Sequence, residues 1–407
     1  MGLFISKIVY RLVVHFYHFF IGLFSLFNEK AYQFSKGRIN QQVERQITPT
    51  IWFHCASLGE FEQAKPLMKW FYDNHDAPII LTFFSPSGYT YKNNYPLAKA
   101  VYYLPKDSPS NAQAFIDKIN PKAAFFIKYE FWFFYLHELK NQDIPHFLVA
   151  GIFRKNQIFF KPYGILHRSM LSSFNHLFVQ GENSLQLLKK NDFHRASVAL
   201  DTRFDTVKQI SQLNFTDDII ENFIKKGKVI VIGSSWLKDE LIIKQIVNSL
   251  PSYRFIIAPH EVNPQRVKQL LKLFPTAILL SNPIMDGHHN VLIVDSIGKL
   301  ALLYRYADIC YIGGGFGVSV HNVLEAAVYG KALIYGPRYS KSKEAVELIQ
   351  KGAAICINNA EDFKKTLLTY ENTNSYQNAC NVAFEYVNIR AGGTLDVINR
   401  LKKDEIF

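Results

Sequence analysis

Short apolar runs and stretches with helical spacing alternate along most of this 407-residue chain. Apolar runs bounded by turn residues are typical of strands buried on both faces of a sheet. Alternating strands and helices predict parallel sheets with helices on both sides. The predicted strands are 51–55, 79–84, 123–127, 146–150 and 176–180 in a first block and 229–233, 254–258, 291–294, 309–312, 332–335 and 354–357 in a second. In the first block, the predicted helices are 60–73, 110–119, 133–141, 164–173 and 182–190.

The two blocks predict two domains, because a chain of this length rarely folds around one core. A polar, charged segment without strand signals lies between the blocks. The sequence therefore predicts an N-terminal membrane anchor or interfacial helix at 1–37, an α/β domain at 38–210, a linker at 211–228 and a second α/β domain at 229–407. Both domains are predicted to be Rossmann-like.

Composition narrows the class of protein. A hydrophobic content of 48% excludes a disordered chain, and a net charge of +12 indicates an acidic partner. Nucleic acid, an anionic membrane and a phosphorylated substrate all fit that charge. We exclude nucleic acid, because the basic residues are scattered and no zinc-finger or RNP pattern occurs. The four cysteines form no CxxC pair or metal-ligand spacing, which predicts reduced thiols.

The first 27 residues differ from the rest of the chain. Leu12 to Phe27 is a Phe-rich run without a formal charge, flanked by basic residues on both sides. As a helix it reaches about 24 Å, which is short for a membrane span. The run lacks the small-residue cleavage site of a secretory signal. A short anchor, an interfacial helix and a buried core helix are the alternatives, and we predict membrane contact in one of the first two forms.

The pattern of residues 51–71 predicts a strand, a tight loop and a helix that begins near Glu60. A carboxylate in the first turn of a helix lies in the positive field of that helix end. Ligands of open α/β sheets bind at the carboxyl ends of the strands, so Glu60 is a candidate general base. The alternative is a first-turn Glu that only favours the helix dipole.

The second block contains a candidate phosphate site. A predicted strand ends in Gly313, Gly314, Gly315 and Gly317, in a spacing that is neither a dinucleotide-binding fingerprint nor a P-loop. A short predicted helix follows, beginning near Asn322 and closed by glycine. Its first amide groups can hold a phosphate, and Glu325 can accept hydrogen bonds from ribose hydroxyls. The alternative is a surface helix with a capping Asn.

The stretch His54-Cys-Ala-Ser57-Leu-Gly59-Glu60 resembles the signature of Kdo transferases, which add 3-deoxy-D-manno-octulosonic acid (Kdo) to a lipid A precursor. Further segments resemble motifs of that family in order and spacing. They are Thr82–Gly88, Tyr103–Asp107, Tyr129–Trp132, Gly151–Arg154 with Tyr163, Asp201–Asp205, Gly233–Glu240, Ala258–Glu261, Asp295–Lys299, His321–Glu325 and Tyr335–Pro337. The resemblance runs from about residue 30 to about residue 360.

The resemblance implies a GT-B glycosyltransferase, in which two Rossmann-like domains face each other across a cleft. It implies an inverting, metal-independent reaction without a cofactor, with Glu60 as the catalytic base. The resemblance implies four residues on the acceptor side of the site or in support of it: Ser57, Gly59, Glu130 and Arg154. The implied CMP-donor-binding residues are Pro259, His260, Ile297, Gly298, Lys299, Asn322 and Glu325. The implied donor is CMP-Kdo, and the acceptor is a lipid A precursor of the lipid IVA type, in the core synthesis of lipopolysaccharide.

This chain departs from the family pattern at three positions. The family has an acidic residue upstream of its Glu-Leu-Trp motif, and this chain has Lys128 there. Lys299 replaces the Glu of the family's Asp-x-x-Gly-Glu motif. The Arg of the Pro-Arg-His motif, which the family uses near the nucleotide phosphate, is missing. His260 or a nearby basic residue such as Arg266 must then compensate.

The implied location is the inner membrane, with the catalytic domains on its cytoplasmic side and the basic surface against anionic lipid. Two other functions remain open on the sequence. One is a GT-B enzyme with another nucleotide sugar, such as an epimerase or a UDP-sugar transferase. The other is a membrane protein that senses nucleotides without catalysis.

Overall fold

The computed structural model describes residues 2–225, 227–283 and 289–406. The strands are β1 (Thr50–Cys55), β2 (Ile79–Phe83), β3 (Ala100–Tyr103), β4 (Pro121–Ile127), β5 (His146–Gly151), β6 (His176–Val179), β7 (Ala196–Val198), β8 (Lys228–Ser235), β9 (Tyr253–Pro259), β10 (Ile278–Leu279), β11 (Val291–Ile293), β12 (Ile309–Ile312), β13 (Ala332–Tyr335) and β14 (Ala354–Cys356).

The helices are α1 (Gly2–Phe24), α2 (Glu29–Asn40), α3 (Leu58–Asn74), α4 (Pro86–Lys92), α5 (Pro109–Ile119), α6 (Phe133–Asn141), α7 (Ile165–Ser173), α8 (Glu182–Lys190), α9 (Thr202–Ser211), α10 (Asp218–Ile224), α11 (Leu237–Val247), α12 (Pro264–Leu273), α13 (Leu300–Leu303), α14 (Leu324–Ala327), α15 (Lys343–Gln350), α16 (Ala360–Glu371), α17 (Thr373–Asn388) and α18 (Gly393–Lys403).

The chain forms two compact units, each built around a seven-stranded sheet whose strand pairs are parallel. Unit 1 holds the residues up to Thr206 and those from Ala391 onward, and unit 2 is Val207–Arg390. The strand order is β3-β2-β1-β4-β5-β6-β7 in unit 1 and β10-β11-β9-β8-β12-β13-β14 in unit 2. The prediction of two parallel-sheet α/β domains after an N-terminal apolar helix is confirmed.

The strand order sets where a ligand can bind in each unit. In a doubly wound sheet the connections reverse direction at one point, and the crevice there receives the ligand at the carboxyl ends of the strands. That point lies between β1 and β4 in unit 1 and between β8 and β12 in unit 2. The loops that follow these four strands carry most of the residues singled out in the sequence.

The domain boundaries differ from the prediction at the end of the chain. Helix α18 was assigned to the second domain, but it belongs to unit 1. The Asp205 carboxylate accepts hydrogen bonds from the Gly392 and Thr394 amides and from the Thr394 hydroxyl, at 2.5–2.7 Å. Val397, Ile398 and Leu401 are buried in the core of unit 1. Each such side chain stabilises the packing by roughly 1.5–3 kcal/mol.

The predicted linker at 211–228 is partly helical. Helix α10 lies within it, and its side chains Ile220 and Phe223 are buried. The Asp217 amide donates to the Tyr306 hydroxyl, which joins this segment to unit 2. The unit boundary therefore falls near residue 206, a few residues before the predicted one.

Helix α1 lies on the surface of unit 1 with one face packed and the other exposed. It is long and apolar enough to cross a membrane, by length and composition alone. Among its described side chains only Val14 is buried, and Leu3 and Tyr10 are partly buried against unit 1. The opposite face exposes half or more of large apolar side chains, among them Phe4, Leu12, Phe16, Phe20 and Phe24. This exposure is incompatible with the alternative of a buried core helix.

Candidate active site

Glu60 lies in the first turn of α3, directly beyond the end of β1. Ser57, the N-cap residue, does not cap the helix with its side chain. Its hydroxyl donates instead to Glu60 Oε2 at 2.5 Å, while Lys128 Nζ lies 3.4 Å from Glu60 Oε1. The Glu60 side chain keeps 16% of its surface exposed. The carboxylate is thus held from two sides and remains open to a ligand at the predicted edge of the sheet.

Lys128 is brought to Glu60 by the strand order. It follows β4, the neighbour of β1, and its backbone is left-handed, with φ of 69°. A non-glycine residue in this region costs about 1 kcal/mol or more, and such strain gathers at functional sites. The position where the resemblance expects an acid therefore supplies a cation beside the candidate base.

Glu130 belongs to a buried polar cluster that sequence reasoning missed. The fully buried His54 has Nε2 2.9 Å from Glu130 Oε2 and Nδ1 2.8 Å from the Thr82 hydroxyl. The Trp132 indole N–H donates to the same Glu130 oxygen at 2.8 Å. Both ring nitrogens of His54 therefore have polar partners inside the cluster. A histidine inside the wholly buried β1 was the signal that could have predicted the cluster.

Arg154 and Gly59 contribute less than Ser57 and Glu130. Arg154 lies in the loop after β5, with an exposed side chain that makes no hydrogen bond or ion pair within the described part of the chain. Gly59 lies in the first turn of α3, with no atom tighter than ordinary contact around the place of a Cβ. The structure therefore joins Ser57, Glu60 and Lys128 directly, and places Glu130 two residues beyond Lys128.

In unit 2 the glycine-rich loop packs against its own unit. A Cβ on Gly313 would lie 2.3 Å from the Ser234 carbonyl oxygen, and one on Gly315 would lie 2.6 Å from Gly336. Gly314 has φ of 89°, and its amide donates to the buried Asp239. Close packing therefore explains Gly313 and Gly315, and a left-handed backbone explains Gly314.

Asn322 and Glu325 lie together beyond that loop. The Asn322 side chain accepts from the Leu324 amide at 3.1 Å and donates to Glu325 Oε1 at 3.0 Å. Helix α14 has only four residues, so its dipole is weak, and its first amide, that of Leu324, already donates to Asn322. A bound phosphate would therefore need a positive side chain as well.

Three rings stack beside this loop. The Trp236 indole N–H donates to His321 Nε2 at 2.8 Å, and the His260 ring stacks on Trp236 and His321 at centroid distances of 4.6 and 4.3 Å. Burial lowers the pKa of His321 to about 4, and burial also lowers the pKa of His260. Both imidazoles are neutral at pH 7, so His260 supplies a ring surface here and no charge.

The other predicted donor residues lie in two neighbouring segments. Pro259 ends β9, next to His260. Ile297 is 84% exposed, Gly298 has φ of 92°, and Lys299 Nζ lies 3.4 Å from Asp217 Oδ2. The exposed Ile297 on a left-handed turn offers an uncovered apolar surface. No side-chain contact between this turn and His260 is among the hydrogen bonds and ring contacts of the described residues.

Arg266, which the sequence offered as a replacement for the missing arginine, is engaged by a carboxylate of unit 2. Its guanidinium is bound to both oxygens of the buried Glu240, at 2.5 Å each. Arg338 is the better placed cation, because its guanidinium donates to the Gly317 carbonyl at 2.8 Å on the glycine-rich loop. Within the described residues it pairs with no carboxylate. Sequence reasoning missed Arg338, although its position directly after Tyr335-Gly-Pro337 was the available signal.

The chain is similar to known proteins over most of its length. Residues 29–206 match the family described as 3-deoxy-D-manno-octulosonic-acid transferase (kdotransferase). The chain is 26% identical to the 3-deoxy-D-manno-octulosonic acid transferase of Rickettsia prowazekii, over 80% of this chain and 72% of that protein. The transferase of the same name from Chlamydia trachomatis serovar D is 27% identical, over 79% of this chain and 76% of that protein.

The chain is similar in sequence to Kdo transferases, and the family match itself covers residues 29–206.

Kdo transferases are not the only similar proteins. A bifunctional glycosyltransferase/methyltransferase of Fusobacterium nucleatum is 26% identical over 93% of this chain, which spans 61% of that protein's length. Two solved structures share the fold. The UDP-GlcNAc 2-epimerase of Neisseria meningitidis bound to UDP-GlcNAc has a TM-score of 0.57 and 17% identity, and the match covers 87% of this chain and all of that one. Acinetobacter baumannii MurG has a TM-score of 0.53 and 14% identity, and the match covers 87% of this chain and all of that one. These solved structures show the GT-B fold alone, and the similarity to Kdo transferases rests on the sequence matches.

Proposed function

We propose that this protein transfers Kdo from CMP-Kdo to a sugar hydroxyl of a lipid A precursor in lipopolysaccharide synthesis. The observation that carries the proposal is Glu60, held open at the end of β1 by Ser57 and Lys128 within the segment that matches the family. A carboxylate fixed in this way, at the ligand-binding edge of a parallel sheet, suits a general base.

In the proposed reaction Glu60 removes the proton of the acceptor hydroxyl. The hydroxyl oxygen forms a bond to the anomeric carbon of Kdo while the bond from that carbon to the phosphate oxygen breaks. CMP leaves with the electron pair, and attack from the opposite face inverts the anomeric centre. Ser57 and Lys128 orient Glu60, and Glu130 lies on the acceptor side. No step uses a metal ion.

We assign the donor to unit 2. Glu325, held by Asn322, accepts from the ribose hydroxyls, and Pro259, His260 and the 297–299 turn border the nucleotide. Negative charge builds on the leaving phosphate as the bond breaks. A guanidinium can stabilise that charge with paired hydrogen bonds, and Arg338 keeps donors for this purpose beyond the one used on Gly317. Arg338 thus takes the place of the missing family arginine.

We place the protein on the cytoplasmic side of the inner membrane, with α1 in the interfacial form. Residues along one face of α1, from Leu3 to Tyr17, contact unit 1, which leaves the opposite apolar face for lipid. A helix that lies along the protein in this way cannot at the same time cross the bilayer. The net charge of +12 suits both an anionic membrane and a phosphorylated acceptor.

Purified protein incubated with CMP-Kdo and a detergent-dispersed lipid A precursor tests the proposal. The expected products are free CMP and an acceptor heavier by whole Kdo units in the mass spectrum. A UDP-sugar transferase or an epimerase would instead consume UDP-GlcNAc, which is the control donor. Turnover of UDP-GlcNAc with no use of CMP-Kdo would replace the proposal with that second class.

A further inference from the structure

Helix α6 begins at the candidate acceptor site without a cap of its own. Its N-cap residue is Trp132, whose side chain makes no capping hydrogen bond. The indole N–H is used on Glu130 instead. The first amides of a helix have no partner within the helix and need one from elsewhere. At α6 these hydrogen-bond acceptors come from residues that are distant in the sequence.

Those groups come from Asp107 and from α1. The Asp107 carboxylate accepts from the Phe134 amide at 3.1 Å and from the Tyr135 amide at 3.2 Å. The Tyr10 hydroxyl donates to Asp107 at 2.6 Å and accepts from the Phe133 amide at 3.4 Å. The first three amides of α6 are therefore all satisfied by Tyr10 and Asp107. Asp107 is only 2% exposed, so its carboxylate depends on these donors.

A second contact joins α1 to the same place. The Tyr17 ring stacks on Phe84 at a centroid distance of 6.2 Å, and Phe84 packs on Trp132 at 4.7 Å. Trp132 is thus fixed by α1 through a ring contact as well as through the start of α6. Its indole in turn fixes the Glu130 oxygen that also contacts His54.

We propose that Tyr10 is a positioning residue: together with Asp107 it caps α6 from the membrane-facing helix and so holds Trp132 and Glu130 in the geometry needed for transfer. The inference rests on the proposed function for its catalytic consequence. It changes the expectation that α1 serves only as an anchor. In this arrangement α1 completes the acceptor side of the site.

Tyr10→Phe tests the proposal, because it keeps the ring and removes only the hydroxyl. Tyr72→Phe is the matched control, because it also removes a tyrosine hydroxyl from unit 1, at an exposed position outside this cap. Full-length proteins are assayed in detergent with a dispersed acceptor, where anchoring to a bilayer has no effect. We expect Tyr10→Phe to lower kcat about tenfold, in line with the loss of a helix cap, and to leave the KM for CMP-Kdo unchanged. Tyr72→Phe should match the wild type.

Hydrogen exchange of the peptide spanning 128–136 gives a readout that does not depend on activity. It should exchange faster in Tyr10→Phe, whereas peptides of unit 2 should not change. Asp107→Asn should change the exchange rate and kcat as Tyr10→Phe does. The double variant should show no larger change than either single variant, because both substitutions remove the same cap. Exchange and kcat in Tyr10→Phe equal to those of Tyr72→Phe would overturn the proposal, and so would faster exchange with normal kcat. A wild-type protein inactive with CMP-Kdo would refute the proposed function, while the exchange comparison would still decide whether Tyr10 caps α6.

Discussion

At the scale of single residues, Glu60 owes its role to two neighbours from different parts of unit 1. Ser57 precedes it by one helical turn, and Lys128 reaches it from the adjacent strand β4. The first contact could be predicted from the Ser-x-Gly-Glu spacing. The second could not, because it depends on the strand order and on a left-handed backbone at Lys128.

Glu60→Gln should lower kcat by roughly 10²–10⁴-fold, because the amide keeps the shape of the side chain and loses its basicity. Affinity for CMP, measured by calorimetry, should stay at the wild-type value. The matched control is Glu62→Gln, which removes a carboxylate paired with Lys65 on the same helix. Normal turnover in Glu60→Gln would exclude Glu60 as the base.

Arg338→Gln should weaken CMP binding by roughly 10- to 100-fold, since a hydrogen bond to a charged group contributes about 1.5–3 kcal/mol. Lys343→Gln is the control, because this exposed lysine pairs with Glu347 away from the glycine-rich loop. Calorimetry with CMP and with cytidine separates phosphate binding from nucleoside binding. Equal losses for both ligands, or none, would mean that Arg338 does not bind the phosphate.

At the scale of secondary structure, β5 and β6 each bury a histidine that cannot accept a proton without cost. Burial lowers the pKa of His146 to about 4 and that of His176 to about 4. His146 Nδ1 contacts the Ile144 carbonyl, while its Nε2 is buried without a hydrogen-bond partner within the described structure. Protonation would place an N–H at that site with nothing to accept it.

The stability of unit 1 should therefore fall as the pH drops from about 6.5 towards 4. Unfolded histidine takes up a proton near pH 6.5, whereas the folded groups resist until about pH 4, so the unfolded state binds more protons in between. For His146 this effect reaches up to about 3 kcal/mol, at about 1.4 kcal/mol per pKa unit. Melting temperatures between pH 7.5 and 5 should fall less steeply for His146→Gln than for the wild type. His194→Gln, at an exposed position, should keep the wild-type slope; equal slopes in all three would contradict the prediction.

The strands that the sequence predicted correctly include the long apolar runs of β1 and β4. It missed β3, β7 and the two-residue β10, each of which lies at the edge of its sheet. It also placed α18 in the wrong unit, because the attachment to Asp205 spans more than 180 residues. Local sequence patterns thus predicted the sheets and helices of the fold, but they could not predict contacts between residues that are distant in the sequence. The cap of α6 by Tyr10 is another contact of this kind.

At the scale of the whole molecule, α1 presents two different faces. The face with Tyr10 and Val14 is packed on unit 1, whereas the face with Phe4, Phe16 and Phe20 is exposed. Substitutions on the exposed face should therefore affect membrane binding alone. Deletion of 1–27 should remove both the lipid contact and the cap of α6, so the truncated protein should lose activity even in detergent.

The triple variant Phe4→Ser, Phe16→Ser, Phe20→Ser should move the protein from the membrane fraction to the soluble fraction. Each exposed Phe contributes to lipid binding in proportion to the apolar area that it buries, at about 25 cal/mol per Å². The melting temperature and kcat in detergent should remain at wild-type values, because none of the three side chains is buried in unit 1. Transfer to an acceptor embedded in anionic vesicles should fall severalfold. Leu368→Ser, Ile389→Ser, Leu395→Ser, at exposed apolar positions elsewhere, should stay with the membrane. If both triple variants partition alike, the exposed face of α1 is not what binds the bilayer.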